Sequence, residues 1–336
     1  LIDRLGGCRT ALLPGYRVRI LDGNHLAGTE RRLGVLRGTG VAALPGQALA
    51  LLDPQRMVIE DVIPCEDGHA QERSLLDQVL PVLRPRDVLI DDRNFCTAAF
   101  LAGIARRKAK FITRQHSSMP CPTQGKCRYV GKSKTGRVYE QAATVRDPAS
   151  GQIIQVRRIT VKLKKATRDG DREIHLLTNL PASKVNAVKV ANLYLSRWKL
   201  ETAFQELTVH LRCELNTLGY PKAALFSFCV AVCCYNLLAA VKGALRGAHG
   251  EVVIDQAVSN FYLTDEISGV YRGMMIALPP KRWEVFRTMS QRQLAMTLRR
   301  WALSVDLGDY PKHPRAPKRT CRPRATSRHV STARLL

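Results

Sequence analysis

Three consecutive apolar residues, Val88, Leu89 and Ile90, stand directly before a pair of aspartates. A strand without polar alternation is typical of a sheet that is covered on both faces. Apolar residues at helical spacing precede this strand in 70–83 and follow it in 95–107. The pattern therefore predicts an α/β fold in which helices cover a central sheet.

The predicted elements continue to alternate between strands and helices, and then the composition changes at a β-rich stretch. Further strands are expected at 16–21, 47–52, 57–63 and 110–113, and the Gly/Lys/Arg/Thr-rich stretch 120–172 contains strand patterns at 136–145 and 153–164. Another strand is expected at 174–180, a long helix from 183 to about 215, an apolar helix at 223–245 and smaller helices in 252–303. We divide the chain into a first core part (1–116), a β-rich insertion (117–180), a second core part (181–248), a helical region (249–309) and a basic disordered tail (310–336).

The charge of the chain predicts its partner. The sequence has 53 Lys and Arg residues against 28 Asp and Glu residues, a formal net charge of +25. Such an excess is typical of proteins that bind nucleic acid, although a solvated basic surface is the alternative. Ten scattered cysteines without a CxxC pair indicate reduced thiols in a cytoplasmic protein. The apolar stretch 223–245 is long enough to span a membrane, but it contains Asn236 and Lys242, so we interpret it as a buried core helix and expect no membrane partner.

Acidic residues occupy three positions that could form one site. Asp22 follows the first strand, Asp91 and Asp92 follow Ile90, and Glu201 lies in the long helix. Carboxylates at two strand ends and on a packed helix can hold two divalent ions about 4 Å apart for phosphoryl transfer. Each acid also has an ordinary alternative: Asp22 as a turn residue, Asp92 as a helix N-cap and Glu201 as a surface acid.

The helix around Glu201 favours the site. At about 100° per residue, Tyr194, Arg197, Glu201 and Thr208 fall in a sector of roughly 60°, with Arg212 at its edge. The adjoining stripe is apolar, so Glu201 borders the core and needs a cation, either a metal ion or Arg197. Trp198 flanks the polar sector, where it could stack on a base or sugar or pack against a loop.

These residues together resemble the DDE transposases of the insertion-sequence-four family. Asp22 in LDGNHL resembles the family's first acid, and Asp92 in DDRNFCT resembles the second, since the D-R-x-F pattern favours Asp92 over Asp91. Tyr194, Arg197 and Glu201 match the signature Y-x2-R-x3-E-x6-K through its Glu. The resemblance covers residues 16 to about 215. It implies an α/β, RNase H-like catalytic core with a β-rich insertion before the last catalytic helix.

The resemblance also implies roles. Asp22, Asp92 and Glu201 would ligate two Mg²⁺ ions, with Mn²⁺ as a substitute. The residues that would contact DNA are Tyr194, Arg197, Trp198, Arg212 and Arg93, the last of which could instead pair with Asp91. The partners would be transposon ends and a target duplex, bound by a homodimer on DNA, in the bacterial cytoplasm at the nucleoid.

The sequence departs from the family in two places. Thr208 stands where the signature has its final Lys, and Arg212, one turn further on, could substitute for it. Only 21 residues precede Asp22, so we expect the family's helical end-binding region to be missing. Three functions stay open: a transposase that cleaves and transfers strands of an insertion sequence, a metal-dependent nuclease of the same fold, and an inactive or truncated remnant that only binds DNA.

Overall fold

The protein is described from a computed structural model, which covers residues 1–26, 46–68, 70–167, 170–214 and 221–313. Nine strands form one sheet. They are β1 (Arg17–His25), β2 (Gln47–Asp53), β3 (Val58–Cys65), β4 (Asp87–Asp91), β5 (Lys110–Arg114), β6 (Thr123–Lys132), β7 (Gly136–Arg146), β8 (Ile153–Leu163) and β9 (Glu173–Thr178). Their order across the sheet is β3-β2-β1-β4-β5-β9-β8-β7-β6.

The first five strands form the core of the sheet. Strands β1, β2 and β3 are an antiparallel meander, and β4 and β5 continue it in the direction parallel to β1. This order is that of an RNase H-like core, so the predicted fold class is confirmed.

Apolar layers cover both faces of the sheet, as the sequence of β4 predicts. All five residues of β4 are buried. Since neighbouring residues of a strand point to opposite faces, Ile90 contributes to one core with Leu200, whereas Leu89 contributes to a second core with Leu101.

The insertion does not form a separate sheet. Strands β6, β7 and β8 pair antiparallel in sequence, and β9 pairs with β8 on one side and with β5 on the other. The insertion therefore lengthens the core sheet by way of β9. The strand expected at 174–180 begins one residue earlier and ends at Thr178.

The helices lie on both faces of the sheet and in the C-terminal region. They are α1 (Leu76–Val79), α2 (Ala98–Arg106), α3 (Ala187–Tyr194), α4 (Trp198–Gln205), α5 (Pro221–His249), α6 (Glu251–Ala257), α7 (Asn260–Ala277), α8 (Glu284–Thr288) and α9 (Gln291–Leu303). The helix expected at 70–83 is a single α-helical turn between two 3₁₀ turns. Pro81 explains its early end, because proline lacks the backbone donor that a helix interior uses.

The long helix expected from 183 is interrupted. Asn186 caps α3 by accepting a hydrogen bond from the backbone of Lys189, a 3₁₀ turn at Leu195–Arg197 joins α3 to α4, and a π turn at Glu206–His210 follows α4. The predicted end near residue 215 lies outside the described residues.

Helix α5 is the apolar helix expected at 223–245. It is long and apolar enough to cross a membrane by length and composition, and 39% of its most apolar window is buried in the protein. It packs against β3, α6 and α9.

The predicted disordered tail begins with an ordered segment. Pro311 forms a β-bridge with Val258, and the backbone of Ser259 donates a hydrogen bond of 2.9 Å to Tyr310. The rest of the predicted tail, 314–336, lies outside the described residues.

Candidate active site

Asp22 lies inside β1 rather than at its end. The parallel pairing of β1 with β4 stops at Ile20 and Ile90, but the antiparallel pairing with β2 continues to His25. Asp22 therefore stands just past the parallel part of the sheet, on the face of Ile20. Its carboxylate accepts a hydrogen bond of 3.0 Å from the backbone of Gly23 and is 18% exposed.

The two aspartates after Ile90 point to opposite faces. Asp92 is extended (φ −88°, ψ 171°), so the alternation of β4 continues and places Asp92 on the face of Ile90 and Asp22. Its side chain makes no capping hydrogen bond to the following 3₁₀ turn. Asp91 faces the second core, fully buried beside Thr113 of β5, and neither of its carboxylate oxygens accepts a hydrogen bond of normal geometry. Burial raises the pKa of Asp91 well above its usual value.

Glu201 lies on α4, which packs on the same face of the sheet as Asp22 and Asp92. It lies in the first turn of α4, whose apolar residues Leu200 and Phe204 pack in the core that contains Ile20 and Ile90. The Glu201 side chain is 36% exposed, at the border between this core and solvent. The three acids predicted from the sequence thus come from β1, the end of β4 and α4, and all lie on one side of the sheet.

Arg197 joins two of these acids. Its Nη1 donates to Asp22 Oδ2 at 2.8 Å, and its Nη2 lies 2.7 Å from Glu201 Oε1. Burial raises the pKa of Asp22 to about 6, and the carboxylates of Glu201 and Asp92 add to this effect although Arg197 opposes it. One guanidinium therefore compensates only part of the negative charge at the site.

Tyr194 and Trp198 complete the polar face of the helix. The buried Tyr194 hydroxyl donates a hydrogen bond of 3.2 Å to Asp92 Oδ1. Trp198 is 59% exposed, and its ring lies 5.2 Å from the guanidinium carbon of Arg197. An exposed aromatic ring beside an arginine is a surface on which a base or sugar can stack.

The structure does not bring Arg93 or Arg212 to the acids. Arg93 lies 3.9 Å from Asp171, and the alternative pair with Asp91 is absent because Asp91 is buried without a partner. Arg212 is exposed, has a positive φ of 47°, and forms no ion pair with the three acids. The π turn before it explains the difference, because a projection at the α-helical angle does not hold across that turn. Thr208 lies within the π turn and is exposed.

The three carboxylates are of the chemical type that binds Mg²⁺, although their side chains do not form a metal-binding cluster in this structure. Within the described ranges, no three His, Cys, Asp or Glu side chains form a cluster that could hold a metal ion. Carboxylate oxygens are the ligands that Mg²⁺ prefers, and the raised pKa of Asp22 reflects mainly its burial, which disfavours a charged carboxylate that a bound cation would favour. The residues fit a divalent ion chemically, and that ion would compete with Arg197 for oxygens of Asp22 and Glu201.

Sequence reasoning missed Glu72, an acid on the opposite face of β1. It accepts a hydrogen bond from Asn94, and a Cβ atom at position 23 would lie 1.9 Å from its Oε1. Gly23 therefore gives Glu72 room to support β1 directly behind Asp22. The apolar spacing of 70–83 indicated only a helix and gave no signal for this contact.

The order of the strands and the three acids on one face of the sheet are those of an RNase H-like core. Residues 13–237 match the family described as transposase DDE domain, and the chain belongs to this family. The narrower assignment to the insertion-sequence-four group stays a prediction.

A relative with a similar name agrees with this assignment. "Putative transposase y4zB" of Sinorhizobium fredii (strain NBRC 101917 / NGR234) is 33% identical over 152 residues, which are 44% of this chain and 41% of that protein. The chain thus spans about two fifths of the length of this curated relative.

Proposed function

We propose that the protein is a DNA transposase that cleaves the ends of an insertion sequence and joins them to a target duplex. The observation that carries this proposal is the approach of Asp22, Asp92 and Glu201 to one polar helix face, where Arg197 and Tyr194 already hold all three. Acids that are far apart in sequence and costly to bury together are typical of sites that bind cations.

Two Mg²⁺ ions would be held by Asp22, Asp92 and Glu201, with Mn²⁺ as a substitute. When bound, they supply activation of the attacking oxygen and stabilisation of the leaving oxygen. Among the protein's own groups, Tyr194 positions Asp92 by its hydrogen bond. Asp22 has a backbone hydrogen bond from Gly23 that fixes one of its oxygens.

Arg197 and Trp198 would bind the DNA end. If Arg197 releases Asp22 and Glu201, its guanidinium can bind a phosphate with two parallel hydrogen bonds. Trp198 is exposed beside it and can stack on the neighbouring sugar or base. We keep Arg93 and Arg212 as DNA contacts outside the acidic site, since Arg93 directly follows Asp92 with a half-buried side chain and Arg212 is exposed beyond the π turn.

The reaction would use two nucleophiles in turn. Water attacks the phosphodiester at the element's end, and the bond to the 3′ oxygen breaks, which leaves a 3′-hydroxyl. That hydroxyl then attacks a target phosphodiester, so one P–O bond forms as another breaks. The net charge of +25 supports DNA as the partner, and pairing of two ends implies a homodimer on DNA in the bacterial cytoplasm at the nucleoid.

A strand-cleavage assay tests this function. The DNA on either side of the gene is first searched for terminal inverted repeats, and the substrate is a pre-nicked duplex that carries those flanking sequences, incubated with Mg²⁺ or Mn²⁺ and a supercoiled target. We expect cleavage and joined products with the native chain and neither with Asp92→Asn. Cleavage without joining would instead identify a nuclease.

One observation favours the second candidate, a remnant that only binds DNA. The signature Lys is replaced by an exposed Thr208, and Arg212 does not take its place at the acids. Salt-dependent DNA binding with no cleavage in either metal would support the remnant and contradict the proposal.

A further inference from the structure

The described residues enclose a basic cavity behind the catalytic helix. The cavity has a volume of about 570 Å³ and lies between α4, the π turn, α5 and the segment 255–264. Its size is that of a pocket for a small molecule, since such pockets measure roughly 300–1,000 Å³. Lys199 and Thr202 of α4 line it, on the side of the helix turned away from Arg197 and Glu201.

Positive charge in this basic cavity exceeds negative charge. Two acids line it, Glu206 and Asp255. The basic side chains that line it are Arg9, Lys199, Lys242, Arg246 and Lys312. Buried cations are normally paired, because an unpaired charge away from water is costly.

Arg246 is a buried cation whose hydrogen bonds are only partly satisfied. Its side chain is only 2% exposed, and its Nε lies 3.0 Å from Asp255 Oδ1. Asp255 is shared, because Arg9 Nε lies 2.9 Å from its other oxygen. Arg246 Nη1 is buried and has no hydrogen-bond partner. The Arg246 side chain lines the cavity, so a small rotation of the guanidinium would present the unsatisfied Nη1 to an anion that enters there.

The two lysines show the same imbalance. Burial and the nearby Arg246 lower the pKa of Lys242 to about 8, and its ammonium group donates to the Asn260 side chain rather than to a carboxylate. Lys199 forms no ion pair with any described residue. Both lysines can therefore turn toward an anion without breaking a salt bridge.

The remaining wall is partly aromatic. Tyr235 is buried at the back of the cavity, and Phe261 and Tyr262 stand edge to face with ring centroids 5.5 Å apart. Cations and aromatic rings in one cavity match a molecule with a charged group and a flat apolar part.

We propose that the basic cavity binds a small phosphate-bearing anion through Arg246, Lys242 and Lys199. The phosphate group accepts from the two ammonium groups and, once the Arg246 guanidinium rotates toward the cavity, from its Nη1. A dianion offsets most of the excess positive charge, which a monocarboxylate cannot do. The site is separate from the acidic site, since it uses the opposite side of α4 and neither Arg197 nor the three carboxylates.

Isothermal titration calorimetry on the full chain tests this inference without DNA and with EDTA, so its outcome does not depend on transposase activity. The probes are inorganic phosphate and deoxyadenosine monophosphate, with acetate at equal ionic strength as the control. We expect one phosphate site per chain and no measurable acetate binding. Equal affinities for the two probes identify free phosphate as the ligand, and tighter binding of the monophosphate identifies a nucleotide.

Variants locate the site. We expect Lys242→Gln and Arg246→Gln to weaken binding at least tenfold. Lys222→Gln removes the same charge from an exposed position on the same helix and should change affinity less than twofold. Because Arg246→Gln also removes a partner of Asp255, circular dichroism checks its folding, and Lys199→Gln serves as the variant that breaks no ion pair. Equal binding by the native chain, Lys242→Gln and Lys199→Gln, or no binding by either probe, would overturn the proposal.

Discussion

The guanidinium of Arg197 donates a hydrogen bond of 2.8 Å to Asp22, although 175 positions separate the two residues. Arg197 lies in the 3₁₀ turn between α3 and α4, and Asp22 lies in β1, so this contact fixes the helix pair on the sheet at the candidate site itself. The same guanidinium holds Glu201, which makes Arg197 the counter-ion of two predicted catalytic acids.

Replacing Arg197 should therefore affect both stability and DNA binding. In Arg197→Gln, two partly buried carboxylates lose their cation, which should lower the free energy of unfolding by about 1–3 kcal/mol. Mg²⁺ should restore more stability to this variant than to the native chain, because the guanidinium no longer competes for the oxygens. Urea unfolding with and without Mg²⁺ measures both effects.

DNA binding separates the two roles of Arg197. We expect Arg197→Gln to weaken binding of transposon ends at least tenfold at fixed salt, through loss of a bidentate phosphate contact. Lys222→Gln is the control, because it removes an exposed charge on α5 from a side chain that the proposal does not place at the DNA. A variant that fails to fold even with Mg²⁺ would show that Arg197 is a structural ion-pair partner alone.

The neighbouring aspartates should differ sharply in their response to substitution. Asp92→Asn changes a carboxylate on the acidic face and should abolish cleavage. Asp91→Asn changes a fully buried group on the other face, with a similar shape and no partner to lose, and should retain both cleavage and folding. Cleavage of the nicked duplex in Mg²⁺, together with a thermal melt of each variant, tests the pair. Loss of cleavage in a well-folded Asp91→Asn chain would contradict the assignment of Asp92.

The sequence predicted those features that depend on neighbouring residues, namely the buried strand β4 and the polar face of the helix. The unbroken apolar run at Val88, Leu89 and Ile90 predicted a strand buried on both faces, and all of β4 is buried. The fixed spacing of Tyr194, Arg197 and Glu201 predicted one polar face, and Tyr194 and Arg197 contact the acids of one site, Glu201 among them.

Features that depend on tertiary contacts were not predictable in this way. The length of β1 is set by β2, so Asp22 lies within a strand although Gly23 resembles a turn residue. The π turn at Glu206–His210 has no signature in the residues that form it, and it moves Arg212 off the face on which an ideal helix would place it. The contact of Glu72 with Gly23 joins residues from separate elements, and the sequence contains no pattern for it.

Restoring the family lysine should strengthen DNA binding. Thr208 is exposed in the π turn and its side chain is hydrogen-bonded to the thiol of the buried Cys213, so Thr208→Lys loses that bond, has solvent to extend into, and should lower the melting temperature only slightly. One added phosphate contact should tighten binding of transposon ends and raise the slope of log affinity against log salt by about 1. Cleavage should be preserved or increased.

Val209 provides the matched control, because it is 57% exposed and adjacent to Thr208. Val209→Lys adds the same charge on a different side of the turn and should have a smaller effect on binding. An equal gain in DNA affinity from Thr208→Lys and Val209→Lys would mean that the side chain at position 208 makes no specific contact with DNA. A large loss of activity in Thr208→Lys would mean that Thr208 is packed against other residues.

Stability should rise with pH through the titration of Lys242. Burial and Arg246 lower its pKa to about 8 in the folded chain, against 10.5 for an ordinary lysine. Between these values the unfolded chain carries a proton that the folded chain has lost, so unfolding takes up a proton and becomes less favourable as the pH rises. The charged groups that act on Lys242 are Arg246 and Arg9, which favour its neutral form, and Glu206 and Asp255, which favour its charged form.

The comparison with Lys242→Met isolates this contribution. From pH 8 to 10.5, the unfolding free energy of the native chain should gain up to about 3 kcal/mol relative to the variant, since one pKa unit corresponds to about 1.36 kcal/mol. Below pH 8 the difference between the two chains should be constant, with the variant the more stable, because the native chain there buries a charge. Urea unfolding at half-unit pH steps measures this difference, with Lys222→Met as the exposed-lysine control. A flat difference across the whole range would show that Lys242 titrates as a solvated lysine.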